Sequence, residues 1–346
     1  MFRPDRTVKH FSLHRIARTE LRLVSDVEAG VLPVLQEEEA VIRGYAQRGG
    51  WPHRWVTLFV LQDLQPLLRQ LRPGSELPPG AAEAMDQPPV VNVYDLADLS
   101  QCHVFVNHQA MVAAGYWSDA LAIRALLAHE HAHPLAENET ARASRSVRVE
   151  LSLPARDDHS LGADRRARTH HLLNLLADKL CLRAPREVFT NELTIRSGFG
   201  EPLLYLDRRN VANAAESVTG RAGLRRQLQQ EVARGQLTPA GADLLLLIGD
   251  LKGSLELALE VAPFYRAGRE ADARELEAVL NTAVFPHLEP EVLPAYTALC
   301  HQYVALRSKL TAAELEAWAH GVLNILADAL AEKGLPLRYR LQMATV

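Results

Sequence analysis

The sequence predicts an α+β protein in which helix predominates. Of its 346 residues 48% are apolar but only 6% aromatic, so the core is built mainly from Leu, Ala and Val. Leu and Ala are strong helix formers. The β-branched and period-two runs fall in the earlier part of the chain, and from about residue 207 onward the pattern is helical throughout. This length accommodates one large domain or two smaller ones, each with its own core.

Along the chain, apolar spacing at Val31, Leu32, Leu35, Val41 and Ile42 predicts a helix over 24–48. Leu61, Leu64, Leu67, Leu68 and Leu71 predict another over 54–72. Gly49-Gly50 separates the two, Pro73-Gly74 stops the second, and a Pro/Gly-rich connector occupies 73–89. Val90, Val91, Val93 and Tyr94 form a β-prone run, as do Val104, Phe105 and Val106. Ser118-Asp119 is an N-cap for a helix from Ala120 to His133. Val147, Val149, Leu151 and Leu153 alternate with Arg148, Glu150 and Ser152, the pattern of a half-buried strand. Asp164 then caps a helix from about 165 to 182. Helical patterns follow over 209–234, 239–262, 268–283, 290–310 and 312–334. The turn Gly198-Phe199-Gly200-Glu201-Pro202 marks the boundary between a first domain, 1–205, and an all-helical second one, 206–346.

A net charge of −4 lacks the basic excess of a duplex-binding protein. Cys102, Cys181 and Cys300 are far apart, which predicts neither a disulfide framework nor a thiolate zinc site. The first residues contain no apolar h-region, and no apolar run, Leu244 to Ile248 included, is long enough to span a bilayer. The expectation is a soluble cytoplasmic protein with no nucleic-acid or membrane partner.

The chemistry lies in Leu126-Leu-Ala-His129-Glu130-His131-Ala-His133, an HExxH match on a helix. His129 and His133 stand one turn apart, so their imidazoles leave one face and can share a Zn²⁺. Glu130 lies about a hundred degrees round the helix, where its carboxylate can take a proton from a metal-held water. The β-prone segment Cys102 to His108 precedes the helix and is expected to be an exposed edge strand that holds a peptide beside the metal. His131 projects to the opposite side and reads as packing or surface. His103 and His108 flank the strand, and His53 has no ligand spacing. Catalytic zinc takes three protein ligands and a water. A polar file of His171, Asn174 and Asp178 on the 165–182 helix is the best source of the third.

These two helices resemble the zincin metallopeptidases, and most of all the bacterial metallopeptidase domains associated with von Willebrand A modules. Those carry a strand, an LLxHExxH helix and an NIAADxxIN helix; the counterparts here are 105–108, 126–133 and 174–182. The resemblance implies a zincin-like first domain with a short sheet, Asp178 as third zinc ligand and Asn174 as its support. An alignment with gluzincin-like regulatory peptidases puts the ligand near His170 or His171, so His171 is the alternative and Glu192 a further one.

Pro134 has no N–H for the helical bond to Glu130 and disfavours helical geometry at His133, so the helix should kink or end there. Tyr116, Tyr205 and His171 are the candidates for stabilising an oxyanion. The Arg-rich stretch 142–168, interrupted by Glu150, Asp157, Asp158 and Asp164, reads as a solvated loop over the cleft. The expected function is zinc-dependent hydrolysis of a peptide bond with Glu130 as general base. The alternatives are a metal-stabilised scaffold that binds a protein partner through its helical domain, and a helical interaction protein bearing a chance motif.

Overall fold

Thr19, Leu21, Leu23 and Ser25 turn to one side of an extended chain, and Glu20, Arg22 and Val24 to the other. In the computed structural model the first four are buried in strand β2 (Thr19–Ser25), paired antiparallel with β1 (His10–Ile16). Residues 8–64, 88–153 and 161–343 are described. They form two units, one of residues 1–135 and 193–206, the other of 136–192 and 207–346. The expected boundary at 205/206 lies beside one crossing between them, and residues 136–192 go with the C-terminal part. The protein is α+β and mostly helical, with no helix among the described residues long and apolar enough to cross a membrane.

In the first unit, α1 spans Val31–Arg48, so the start of the helix expected over 24–48 is instead the end of β2 and a loop. Gly30, at φ 79°, makes the turn into α1, and Trp117 lies where a Cβ at Gly30 would sit. The helix expected over 54–72 is a strand where it is described: β3, Trp55–Leu61. Its Trp, Val, Thr and Phe residues suit a pleated, buried surface, and they outweigh a leucine spacing that runs mostly through 65–87, outside the described residues. Next come β4 (Val90–Tyr94) and β5 (Gln101–Asn107). The sheet runs β1-β2-β3-β5-β4, with β2, β3 and β5 parallel and the two outer strands antiparallel.

The strand expected at the edge, β5, is therefore interior. Val104 and Val106 are buried in one cluster with Leu58 and Ile42, and Phe105, on the opposite face, in another with Leu61 and Leu64. The outer strand is β4. Asn107 caps the short α2 (His108–Ala113), and Asp119 accepts from the Ala122 N–H to open α3 (Ala120–Leu135). Helices α1 and α3 pack together on one face of the sheet around Leu21, Leu58, Val104, Ile42 and Leu127. The Tyr45 hydroxyl donates to the Ala128 carbonyl (2.8 Å) and so ties the two helices. Gly44 opens α1 to close approach, since a Cβ there would lie 2.5 Å from the ring of Phe199.

The second unit begins with α4 (Glu139–Ser144) and β6 (Val147–Ser152), whose alternating burial matches its sequence. Then follow α5 (Ala163–Asp178), a π-turn over Lys179–Arg183, α6 (Ala184–Thr194), whose end belongs to the first unit, and α7 (Gly200–Ala233), which belongs to the second from residue 207. Gly162, not Asp164, occupies the N-cap of α5. The remaining helices are α8 (Pro239–Ser254), α9 (Ala258–Arg266), α10 (Glu270–Val279), α11 (Val292–Val304) and α12 (Ala312–Ala331). The pattern expected as one helix over 239–262 is broken at Leu255–Leu257 by a 3₁₀ turn. The C-terminal part is not all helical: β7 (Arg338–Met343) pairs antiparallel with β6.

Two charged groupings lie inside this unit. Arg221 grips Asp250 through Nε and Nη2 (2.8 Å each) and reaches Glu289, which also takes Lys333. Asp207 and Glu260 are buried acids with little compensating charge. Burial raises the Glu260 pKa to about 8, although Asn210 donates to its Oε1. Asp207 is also raised, by burial and then by Glu260.

A carboxyl whose folded pKa exceeds its unfolded value stabilises the fold below the unfolded pKa and loses that contribution as pH rises through the folded one. For Glu260 the window runs from 4.5 to about 8. Glu260→Gln keeps an oxygen for Asn210 and carries no charge. Thermal unfolding followed by circular dichroism should show the variant more stable than wild type at alkaline pH, by about 1 kcal/mol or roughly 2–4 °C, with the difference gone in mild acid.

Candidate metal centre

Helix α3 places the motif. Ile123, Leu127, Ala128 and Ala132 face the core and fix which way the helix is rolled. Tyr205 donates its hydroxyl to Asp119 (2.6 Å), the residue that caps the helix, and so Tyr205 serves α3 at its start. On the other side of α3 the rings of His129 and His133 meet edge to face, with centroids 4.6 Å apart. His133 is buried and His129 half-buried. The Glu130 carboxylate lies 4.0 Å from His133 Nε2. Thus His129, Glu130 and His133 come together as the one-turn spacing expects.

The helix does not end at His133. It continues through Pro134 to Leu135, and the physical reason lies on β4. Proline leaves the Glu130 carbonyl without its usual i+4 donor. Asn92 fills that role, its Nδ2 donating to the Glu130 carbonyl (3.1 Å) while its backbone N–H donates to Glu130 Oε2 (3.0 Å). One residue of the outer strand therefore holds both the backbone and the side chain of Glu130. Pro134 hinted at such a donor, but not at which residue supplies it.

His131 was expected as packing or surface, and it is fully buried in a charge pair. Its Nε2 lies 2.7 Å from Glu38 Oε1, and neither side chain is exposed. Burial alone would strip the proton from His131, but Glu38 and the nearby Cys102 outweigh it and lift its pKa to about 10. His53 moves the other way, to about 4, through burial first and the charge on His131 second. His103 and His108 are half-buried; His103 rests near Phe59, and His108 meets the edge of Trp117. Tyr116 packs against the core.

In the second unit, α5 carries the other expected residues. Asp178 is an ion partner of Arg183 (3.0 Å) and 39% exposed. His171 is exposed, and Leu175 on the same face is 50% exposed, so this face is not sequestered within its unit. Asn174 and His170 bind β6 instead: His170 Nε2 lies 2.7 Å from the Leu151 carbonyl, and Asn174 Oδ1 accepts from the Leu151 N–H. Glu192 is held by Arg266 (2.8 Å). Of the Arg-rich stretch, 147–152 is strand β6 and 163–168 opens α5, while 154–160 lies outside the described residues. No known protein family, curated protein or solved structure matches the chain.

The Asn92 clamp yields a double-mutant test. Asn92→Ala leaves the Glu130 carbonyl without its donor and should destabilise the fold by about 1–3 kcal/mol. Pro134→Ala restores an N–H at the helical position. In the Asn92→Ala background it should therefore recover part of the loss, giving a coupling energy of about 0.5–1.5 kcal/mol in denaturant titrations. Additive effects would mean that Asn92 does not stand in for the missing N–H.

Proposed function

We propose that the protein is a zinc-dependent hydrolase of peptide bonds, with His129 and His133 binding the metal and Glu130 acting as general base. The observation that supports this most is the pairing of two imidazoles on one face of α3 with a carboxylate 4.0 Å from one of them. The donor set suits zinc, which takes imidazole nitrogens and carboxylate oxygens. Bound zinc supplies Lewis acidity and lowers the pKa of a coordinated water. Glu130 would take a proton from the water whose oxygen adds to the peptide carbonyl and pass it to the leaving amine. Asn92 holds the Glu130 carboxylate through Oε2 and so positions this base.

The same hydrogen bond favours a second reading, in which Glu130 serves the fold and the chain is a metal-stabilised scaffold for a protein partner. A carboxylate tied to an outer strand has a structural use that needs no substrate.

Zinc content and hydrolysis of an unfolded protein substrate separate the two. Purified wild type should carry zinc, and His129→Ala should lower its content. Glu130→Gln should keep the metal, retain an oxygen for Asn92, and lose about 10²–10⁴-fold in rate. Hydrolysis that survives Glu130→Gln removes the enzyme and leaves the scaffold; protein without zinc removes both. Asp178 is the expected third ligand and His171 the alternative. Alanine variants of His171, Asp178, Glu187 and Glu192, the imidazoles and carboxylates of 171–192, should identify it by the one that releases zinc.

A further inference from the structure

We infer that His53, Cys102 and His131 form a second metal site, wholly buried in the first unit and built to hold zinc through two imidazole nitrogens and a thiolate. The three side chains come from separate places: His53 from the segment leading into β3, Cys102 from β5 and His131 from α3. They are 2%, 0% and 0% exposed. Their donor atoms lie within 4.8 Å of one another. Neighbouring donors around a tetrahedral zinc stand about 3.3–3.6 Å apart, given bonds of about 2.0–2.1 Å to nitrogen and 2.3 Å to sulfur. Movements of about an ångström would therefore close the group on one ion.

The hydrogen bonding points the rings the right way. His53 Nδ1 lies 2.5 Å from the Leu99 carbonyl, which makes that nitrogen the donor and leaves the lone pair on Nε2. His131 Nε2 faces Glu38 at 2.7 Å and keeps its proton there, so zinc binds at Nδ1 and displaces the proton that nitrogen carries in the metal-free charge pair. Both remaining nitrogens, His53 Nε2 and His131 Nδ1, are buried without a hydrogen-bond partner. Unpartnered buried nitrogens are costly, and here two of them belong to one cluster with a thiol. A carbonyl behind one imidazole and a carboxylate behind the other is the outer-shell arrangement that orients histidines on metals.

Charge supports the same occupant. A Cys102 thiolate and the Glu38 carboxylate together balance a divalent cation in a region closed to water, which matters where an unpaired charge is expensive. Trp51 walls the group, its ring 4.6 Å from His53 and 5.1 Å from His131. A thiol–imidazole nucleophile is a poor alternative, because full burial leaves a substrate no approach. Enclosure also means that the ion enters as the chain folds and contributes to the fold. This site shares no ligand with His129 and His133 and does not depend on the hydrolase reading.

The test uses cobalt(II), taken up by the full chain during expression in zinc-depleted medium. A thiolate ligand gives cobalt a sulfur-to-metal charge-transfer band in the near ultraviolet, which a nitrogen–oxygen site lacks. The band should appear in wild type, persist in His129→Ala/His133→Ala, Cys181→Ala and Cys300→Ala, and be lost in Cys102→Ala. Folded wild type without the band, or a band that survives Cys102→Ala, overturns the site. Should Cys102→Ala fail to fold, X-ray absorption of the zinc-grown His129→Ala/His133→Ala protein decides instead. One sulfur neighbour at about 2.3 Å supports the site, and absence of zinc or a shell of nitrogen and oxygen alone overturns it.

Discussion

The buried contact between Glu38 and His131 is the constraint on which the first unit depends. It joins the middle of α1 to the C-terminal half of α3, with both side chains removed from solvent. Breaking such a pair from one side leaves an uncompensated buried charge, which costs about 3–5 kcal/mol. Because His131 must face Glu38, residues two positions to either side point away from it. His129 and His133 are thereby turned together to the side of the helix opposite His131. The residue between the two motif histidines sets the direction in which they face.

Glu130 is settled by a different contact. Proline in the last turn of α3 would ordinarily leave a carbonyl unsatisfied, and the outer strand supplies the donor through Asn92. The same residue fixes the carboxylate through its backbone N–H. The strand that lies nearest the motif thus acts on Glu130 directly, and β4 does so because β5 is enclosed between it and β3.

The second unit solves its charge problems in two ways. Arg221 satisfies Asp250 and Glu289 with hydrogen bonds, while burial pushes the Asp207 and Glu260 carboxyls toward their neutral forms. Its small sheet closes only when residues 338–343 return to pair with 147–152, a pairing separated by most of the unit.

Local pattern was enough for several parts of this protein. The predominance of helix, the Asp119 cap, the strand at 147–152 and the adjacency of His129, Glu130 and His133 all follow from spacing over a few residues, which backbone geometry converts directly into faces. Long-range pairing was not legible. Leucine spacing past residue 61 disguised β3, β5 read as an edge because that neighbour pairs with it from 46 residues back (Trp55 with Gln101), and the short alternation of β2 gained its meaning only beside its partners. The roles of Asn92, Glu38, His53 and Cys102 were equally hidden, since none stands near its partner in the chain. By itself the sequence determined which residues share a helix face. Tertiary structure alone decided which of those faces is buried, and against what, because burial and hydrogen bonding are properties of neighbours that only folding brings together.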